Sequence, residues 1–534
     1  MDSRSRSSRL AVVSCVAGGS AFAMLDFFLF GVLFIHIGRA FFPAADEVAS
    51  RLVFFMTLAG LFFRLLGAVV LGIFADQAGR SRGFVVALSI MALGTILIAC
   101  TPSYATIGPA ATVTVVVGRL LQAFSLGGLV ACVSIYLFEL ATPGHKGFYT
   151  AWQPFSGQAG ILASALMAVA LGMWLSAAEI GAWGWRIPVL IGCLIAPFIF
   201  LIRRSLAETP DFLASRPPPR TLEALRSIGR NLDVVAAGTV LVSTVAICTY
   251  LFSSFLLAYG ITVLKLANTR NVALVITATF CLSCLLWMPI MGALADRFGS
   301  KSVLAASAAL MVLTTYPAFW WFASDPEFVK LLLIELWLSF VFSGYSVAAT
   351  VALAQLAPAR SRVAVFSLAY GLATALFGAF APVAAADLAR IDRAAPMLLV
   401  TFAAGCCLLV VWSNFLFSHA PRITRSQFWL QYCAPAAIIG LAVMFADIAL
   451  AAEYEQPLKT LCGVVVMLAG LVAAVKRCHD RDRTGWFVLI YLIPVVGWIW
   501  LIGELGFLPG TAGANRFGPE PVGAARAPAR RAPA

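Results

Sequence analysis

Four charged side chains stand inside stretches that are otherwise apolar: Asp26, Arg64, Arg119 and Glu335. A charge at mid-bilayer costs about 2.5–3.5 kcal/mol on insertion scales, so each must face a cavity or a partner. Arg64 and Arg119 suit an anionic substrate, because a guanidinium grips a carboxylate through two parallel hydrogen bonds and keeps its charge. Gln122 follows Arg119 by about one helical turn and shares its face. Asp26 and Glu335 have the chemistry of proton carriers. The competing assignment is structural, with one arginine paired permanently to Asp26 and simply tying helices together. Polar residues also line up in stripes. Glu335, Ser339, Ser346 and Thr350 fall on one side of a helix, as do Gln153, Ser156, Gly160 and Ser164, and more weakly Thr239, Ser243, Tyr250 and Ser254. Such stripes line a water-filled cavity or join helices through small polar residues. Gln153 and Ser346 thereby join Arg64, Arg119 and Gln122 as candidate substrate contacts.

These residues need membrane-spanning helices to hold them. The chain of 534 residues is 61% hydrophobic and only 11% charged. Charge takes about a quarter of the positions in ordinary soluble domains, which this composition therefore excludes. Apolar stretches long enough to cross about 30 Å of hydrocarbon recur along the chain. Six lie near 10–37, 48–75, 83–101, 110–138, 151–175 and 187–202, and six more near 233–258, 271–295, 302–323, 328–355, 362–386 and 396–417. They are continuously apolar, whereas barrel strands alternate over about ten residues, so the expected fold class is an all-α polytopic membrane protein.

Two loops are duplicated. Gly72-Ile73-Phe74-Ala75-Asp76-Gln77-Ala78-Gly79-Arg80 returns as Gly292-Ala293-Leu294-Ala295-Asp296-Arg297-Phe298-Gly299-Ser300. The loop Ala141–Lys146 likewise has a counterpart in Leu356–Arg362. The duplication predicts two homologous six-helix bundles, 1–202 and 233–418, joined by a loop at 203–232, an organisation on which secondary transporters build alternating access. Asp76, Gly79, Arg80, Asp296, Arg297 and Gly299 are expected to act in gating. A loop aspartate can latch onto a helix end and basic side chains, and the glycines permit the tight turn. Pure topology signals are the alternative.

Basic residues are concentrated before the first stretch and after every even-numbered one, which places the N-terminus in the cytoplasm. The net charge of +13 is largely this bias plus a basic tail, so no nucleic-acid partner is expected. The first stretch is too long for a cleaved leader and carries Asp26. Cys281-x-x-Cys284 lies within a span without histidines, and it reads as buried thiols rather than a metal site. No nucleotide loop, nucleophile triad or metal-hydrolase pattern is present, so neither enzyme activity nor a cofactor is expected and an ion or substrate gradient must drive any transport.

Several segments carry a resemblance. The duplicated Asp-x-x-Gly loops resemble those of the major facilitator superfamily. Leu25-Asp26-Phe27-Phe28-Leu29-Phe30-Gly31, Trp183-Gly184-Trp185-Arg186-Ile187-Pro188 and Glu208-Thr209-Pro210 resemble its metabolite–proton symporter group. Gly118-Arg119-Leu120-Leu121-Gln122, the run from Ala141 to Gln153 and Leu372–Gly378 are most similar to the citrate and tricarballylate symporters of that group. The resemblance spans about 10–418. It implies the major facilitator fold, co-transport of a citrate-like small organic anion with protons across a bacterial inner membrane, and a proton-coupling role for the Arg-x-x-Gln of Arg119 and Gln122. The chain departs from the group at Leu129, where a carboxylate is usual, and at Arg64-Leu65, where Arg-Pro is. Glu335 is the expected replacement for the missing carboxylate.

Beyond the second bundle, residues 425–519 form an appended module. Its Lys476–Trp486, Pro494–Gly497 and Gly510–Pro519 signatures resemble a small bacterial inner-membrane family of unknown function. Spans are expected near 431–451 and 458–475, with a third apolar stretch at 485–505 that either crosses or bends back at Pro494. His479 and Asp480 are too few for a metal site and read as a solvated turn. Residues 520–534 read as a disordered basic tail. Two other functions stay open from the residues alone: a transporter-like sensor signalling through the module, and a symporter of another small metabolite.

Overall fold

A computed structural model describes residues 3–41, 46–214, 221–255, 269–412, 422–429, 433, 467, 470–471, 473–492 and 496–518. Helices dominate among them, and the single β-bridge joins Asn515 to Gly518. Among the described residues eleven helices are long and apolar enough to cross a membrane. They match eleven of the twelve stretches expected from the sequence. The twelfth appears as the shorter apolar helix Ala395–Leu408. The spans expected near 431–451 and 458–475 and the tail at 520–534 lie largely or wholly outside the described residues.

The chain forms two compact units. The larger comprises residues 1–228 and 241–405, and the smaller residues 229–240 and 406–534. In the larger unit the principal helices are α1 (Ser3–Val32), α2 (Asp46–Ala78), α3 (Arg80–Cys100), α4 (Pro109–Leu140), α5 (Trp152–Trp174) and α6 (Arg186–Gly192). They continue with α7 (Leu232–Tyr250, whose first part belongs to the smaller unit), α8 (Thr269–Phe298), α9 (Ser300–Ser324), α10 (Phe328–Leu356) and α11 (Arg362–Ala373). A 21-residue helix such as α3 rises about 31 Å, the thickness of the hydrocarbon core.

Because lipid is as apolar as leucine, helices here associate by close packing rather than by hydrophobic burial. Glycines mark the tightest crossings. A β-carbon on Gly127 of α4 would strike the carbonyl of Arg64, and one on Gly67 of α2 would strike that of Phe124. This crossing fixes where Arg64 emerges from α2. Wider π-type turns replace the regular helix at Ile180–Gly184 and at a pair of segments beside the cavity-lining residues, Leu251–Phe255 and Thr374–Gly378. Gly378 lies against the ring of Tyr250, so the two turns meet beside the central cavity. π-turns inside helices often mark functional positions.

In the smaller unit the appended signatures converge on buried charges. Arg422 donates to Asp480 Oδ1 at 3.1 Å and to the carbonyls of Gly513 and Thr511, both at 2.6 Å. Arg477 also pairs with Asp480 and donates to the carbonyls of Leu505 (2.8 Å) and Leu508 (2.5 Å). The solvated turn expected at His479–Asp480 is therefore corrected: Asp480 is buried between two arginines, and His479 stacks on Phe517 at 4.2 Å. Burial pushes the Asp480 carboxyl up, and Arg477 and Arg422 pull it back. Polar signatures that look solvated in sequence thus serve as a staple for the 505–518 loop. The third apolar stretch is not one continuous helix. It runs as a 3-10 segment Gly485–Leu492, a short helix Val496–Leu501 and a π segment Ile502–Phe507, with Gly497 packed on the Ile490 carbonyl.

Arg477→Ala leaves a buried carboxylate short of a partner and strips donors from two carbonyls. The module should lose about 3–5 kcal/mol, the usual cost of breaking a buried pair. Limited proteolysis of the full-length chain should then cut within 422–518 far faster than in the parent protein, and an unchanged rate would contradict the staple.

Candidate functional site

The duplicated loops occupy equivalent positions at one end of the larger unit. Asp76, at the end of α2, accepts hydrogen bonds from the backbone N–H groups of Val363 (3.2 Å) and Ala364 (2.9 Å), in the first turn of α11. Asp296, at the end of α8, accepts from the N–H groups of Gly147 (2.6 Å) and Phe148 (2.8 Å), in the short helix Lys146–Thr150 that leads into α5. Each aspartate thus satisfies orphan donors and the positive end of a helix from the other half of the repeat. Gly79 (φ 120°) and Gly299 (φ 88°) make the turns that follow.

The two latches are unequal. Arg80 is buried beside Asp76 (3.4 Å) and Glu139 (3.2 Å), and its guanidinium also reaches the Ala359 carbonyl at 3.2 Å. Glu139 further accepts from Arg362 (2.9 Å) and from the Thr209 hydroxyl (2.6 Å). Glu208 accepts from the N–H of Arg80 at 2.9 Å and the hydroxyl of Ser81 at 2.6 Å, lying where a side chain on Gly79 would be. Arg297, by contrast, is exposed against Phe298, and no ion pair for it occurs among the described residues. Glu139 and Glu208 did not emerge as network members from the sequence reading. The available signal was a carboxylate closing an apolar span at Glu139 and the Glu-Thr-Pro run at Glu208.

A second constellation lies deeper. Asp26 on α1 is buried and accepts from the Thr95 hydroxyl of α3 and from Gln122 Nε2 of α4 at 2.6 Å. Arg119 donates to Gln122 Oε1 at 2.7 Å, so the glutamine amide bridges guanidinium and carboxylate. Gly192 at the end of α6 lets that helix close over Asp26. Arg119 lies across the rings of Phe30 (4.1 Å) and Phe27 (4.7 Å). Such cation–π contacts hold a guanidinium away from water without neutralising it.

Phe27 is the boundary between this cluster and the central cavity. The cavity measures about 70 Å³, room for several waters. Phe27, Phe28 and Phe342 line it together with Arg64, Gln153, Gln158, Ser346, Tyr250 and Tyr370. Among the described residues Arg64 has no acidic partner, and the Tyr370 phenol lines the same cavity. The structure therefore brings Arg64, Gln153 and Ser346 to one wall-lined space, and it sets Arg119 and Gln122 behind Phe27 with Asp26. Gln158, Tyr250 and Tyr370 complete the cavity. The first and last belonged to no expected polar stripe. Of the stripe on α10 only Ser346 reaches the cavity. Ser339 instead bonds Ser283 of α8 at 2.6 Å, and Glu335 is buried apart from both sites.

Comparison with known proteins places this geometry. Residues 12–235 match the family model described as "Sugar (and other) transporter", and residues 415–519 match "Protein of unknown function (DUF805)". The citrate-proton symporter of Klebsiella pneumoniae is 44% identical over 404 residues, which are 75% of this chain and 90% of that protein. The citrate-proton symporter of Salmonella typhi is 41% identical over 76% of this chain and 93% of its own length. The alpha-ketoglutarate permease of Escherichia coli is 28% identical over 72% and 88%. Among solved structures, the proton:xylose symporter XylE bound to 6-bromo-6-deoxy-D-glucose superimposes with a TM-score of 0.64 at 16% identity, covering 76% of this chain and 96% of that one. At that identity the likeness shows the fold alone.

Proposed function

This chain belongs to the metabolite–proton symporters of the major facilitator superfamily, and we propose that it carries a citrate-like carboxylate together with protons by alternating access. The observation that carries the substrate class is Arg64. It is a permanent positive charge on the cavity wall with no acidic partner among the described residues, so an incoming carboxylate supplies the missing counter-charge. Gln153, Gln158 and Ser346 offer further donors for a substrate with several carboxylates.

Asp26 is the proton-coupling carboxylate in this reading, and Arg119, through Gln122, sets its balance between charged and neutral forms. Phe27 follows Asp26 in the chain, lines the cavity and carries the Arg119 guanidinium, so substrate pressing on that wall is felt at the proton site. The two aspartate latches support a state closed at the loop end. Basic-residue bias supports placing that end, and the N-terminus, in the cytoplasm of a bacterial cell, with the spans in its inner membrane.

The test is uptake of labelled citrate by the purified chain in liposomes, with and without an inward proton gradient. The parent protein should accumulate citrate only with the gradient. Arg64→Ala should weaken citrate binding about 10- to 100-fold, as expected for losing a charged hydrogen-bonded contact of about 1.5–3 kcal/mol. No citrate binding by the parent protein would overturn the substrate. Binding without any translocation would favour a sensor.

A further inference from the structure

Every buried carboxylate in the larger unit but one is held by donors. Asp26 has Thr95 and Gln122, Asp76 has two backbone N–H groups and Arg80, and Glu139 has Arg80, Arg362 and Thr209. Glu335 of α10 is 0% exposed, and neither of its oxygens has a hydrogen-bond partner among the described residues. A structural or gating carboxylate is kept for its partners, and this one has none to keep. An unpartnered ionised carboxylate is too costly in such a place, whereas a neutral carboxylic acid is tolerable. The side chain is therefore of use only if its proton comes and goes.

Its surroundings supply a connection to the cavity. The ionisable groups that face it are Cys281 and Cys284, on α8 packed against α10; no charged group from a neighbouring helix faces it among the described residues. Cys281 Sγ donates to Gln158 Oε1 at 3.5 Å, and Gln158 lines the cavity. Cavity, Gln158 and Cys281 thus form a polar line that leads toward Glu335 and stops short of a hydrogen bond to its oxygens. It lies in the second half of the repeat, whereas Asp26 lies in the first.

We propose that Glu335 is a second proton-carrying group, separate from Asp26, and that it adds one proton to each transport cycle. The inference rests on the proton-coupled reading above. Glu335 holds its proton in the conformation described here, where its oxygens are buried and no donor among the described residues reaches them. It releases that proton to water when movement of α8 against α10 opens the line through Cys281 and Gln158. The step consists only of O–H dissociation to water and its reversal, and no bond to the substrate forms.

The experiment counts protons per labelled citrate in proteoliposomes, using a trapped pH dye, for the parent protein, Glu335→Gln and Asp26→Asn. Glu335→Gln keeps the shape of the acid, so citrate counterflow should stay within about twofold while the proton count falls by about one. An unchanged count in Glu335→Gln, beside a coupled parent protein, overturns the inference and leaves the transport reading standing. No citrate-linked proton movement in the parent protein sinks the transport reading itself, and this inference with it. A second measurement covers a poorly transporting variant. Infrared difference spectra of the full chain should show a carboxylic-acid C=O band that Glu335→Gln lacks, and its presence unchanged in that variant also overturns the proposal.

Discussion

Asp26→Asn should sharply lower proton-driven accumulation of substrate while leaving citrate counterflow in place. Asparagine preserves the size of the side chain and still accepts from Thr95 and Gln122, so the packing of α1 against α3 and α4 survives. What disappears is the exchangeable proton and the counter-charge to Arg119. Accumulation against a gradient requires that substrate and proton movements be linked, whereas counterflow requires only that the loaded carrier change face. The accumulation ratio should fall by the factor that one coupled proton supplies, and what remains is the share carried through Glu335. Arg119 should also become a stronger anion attractor, because the carboxylate sharing Gln122 is gone, so citrate affinity should hold or rise. Measuring accumulation and counterflow on the same preparation decides the matter. Full accumulation in Asp26→Asn would move proton coupling elsewhere in the molecule.

The second large effect is expected at the closed loop end. Glu139 joins Arg80 and Arg362 and receives Thr209, with all of Glu139 and Arg80 buried. Glu139→Ala leaves two guanidinium groups without their shared carboxylate. Breaking a buried pair in this way costs about 3–5 kcal/mol, and that cost falls on the closed state alone. A shift of that size changes the ratio of closed to open forms by about two to four powers of ten. Cys132, buried close to Asp76 and Arg80, is a native reporter. Its alkylation, followed by mass spectrometry of the peptide that contains it, should rise sharply in Glu139→Ala. Glu139→Gln keeps the acceptor without the charge and should give an intermediate rise. Net transport should fall in both, since a carrier resting in one state completes few cycles. Cys132 protection equal to the parent protein would mean that Asp76 alone holds the latch.

The residue types of the gate loops were legible because each loop is short and its chemistry local. An aspartate three residues before a glycine, repeated 220 positions later, has the same helix end to bind in both halves. The partners were less legible. Asp76 meets Val363 and Ala364 across 287 and 288 positions, and Asp296 meets Gly147 across 149. No local pattern encodes such pairings. The unequal latches are a further example: the place of Arg80 is taken by Ser300 in the second copy, and Arg80 reaches Glu139 whereas Ser300 bonds Gln355.

The sequence by itself determined that this is a multi-pass helical membrane protein, roughly where its spans lie, and which charges it carries into the bilayer. Hydrocarbon thickness and the cost of unpaired backbone groups act on each stretch independently, so composition and length suffice. Only the tertiary structure decided which charge faces what. One residue turns a helix by about 100°, so small differences in helix rotation choose between a cavity wall and a buried cluster. Arg64 reaches the cavity, Arg119 lies behind Phe27 with Asp26, Glu335 has no hydrogen-bond partner among the described residues, and Asp480 disappears between two arginines because of how neighbouring helices and loops close on them. Those outcomes depend on contacts between segments far apart in the chain, and only packing brings such segments together.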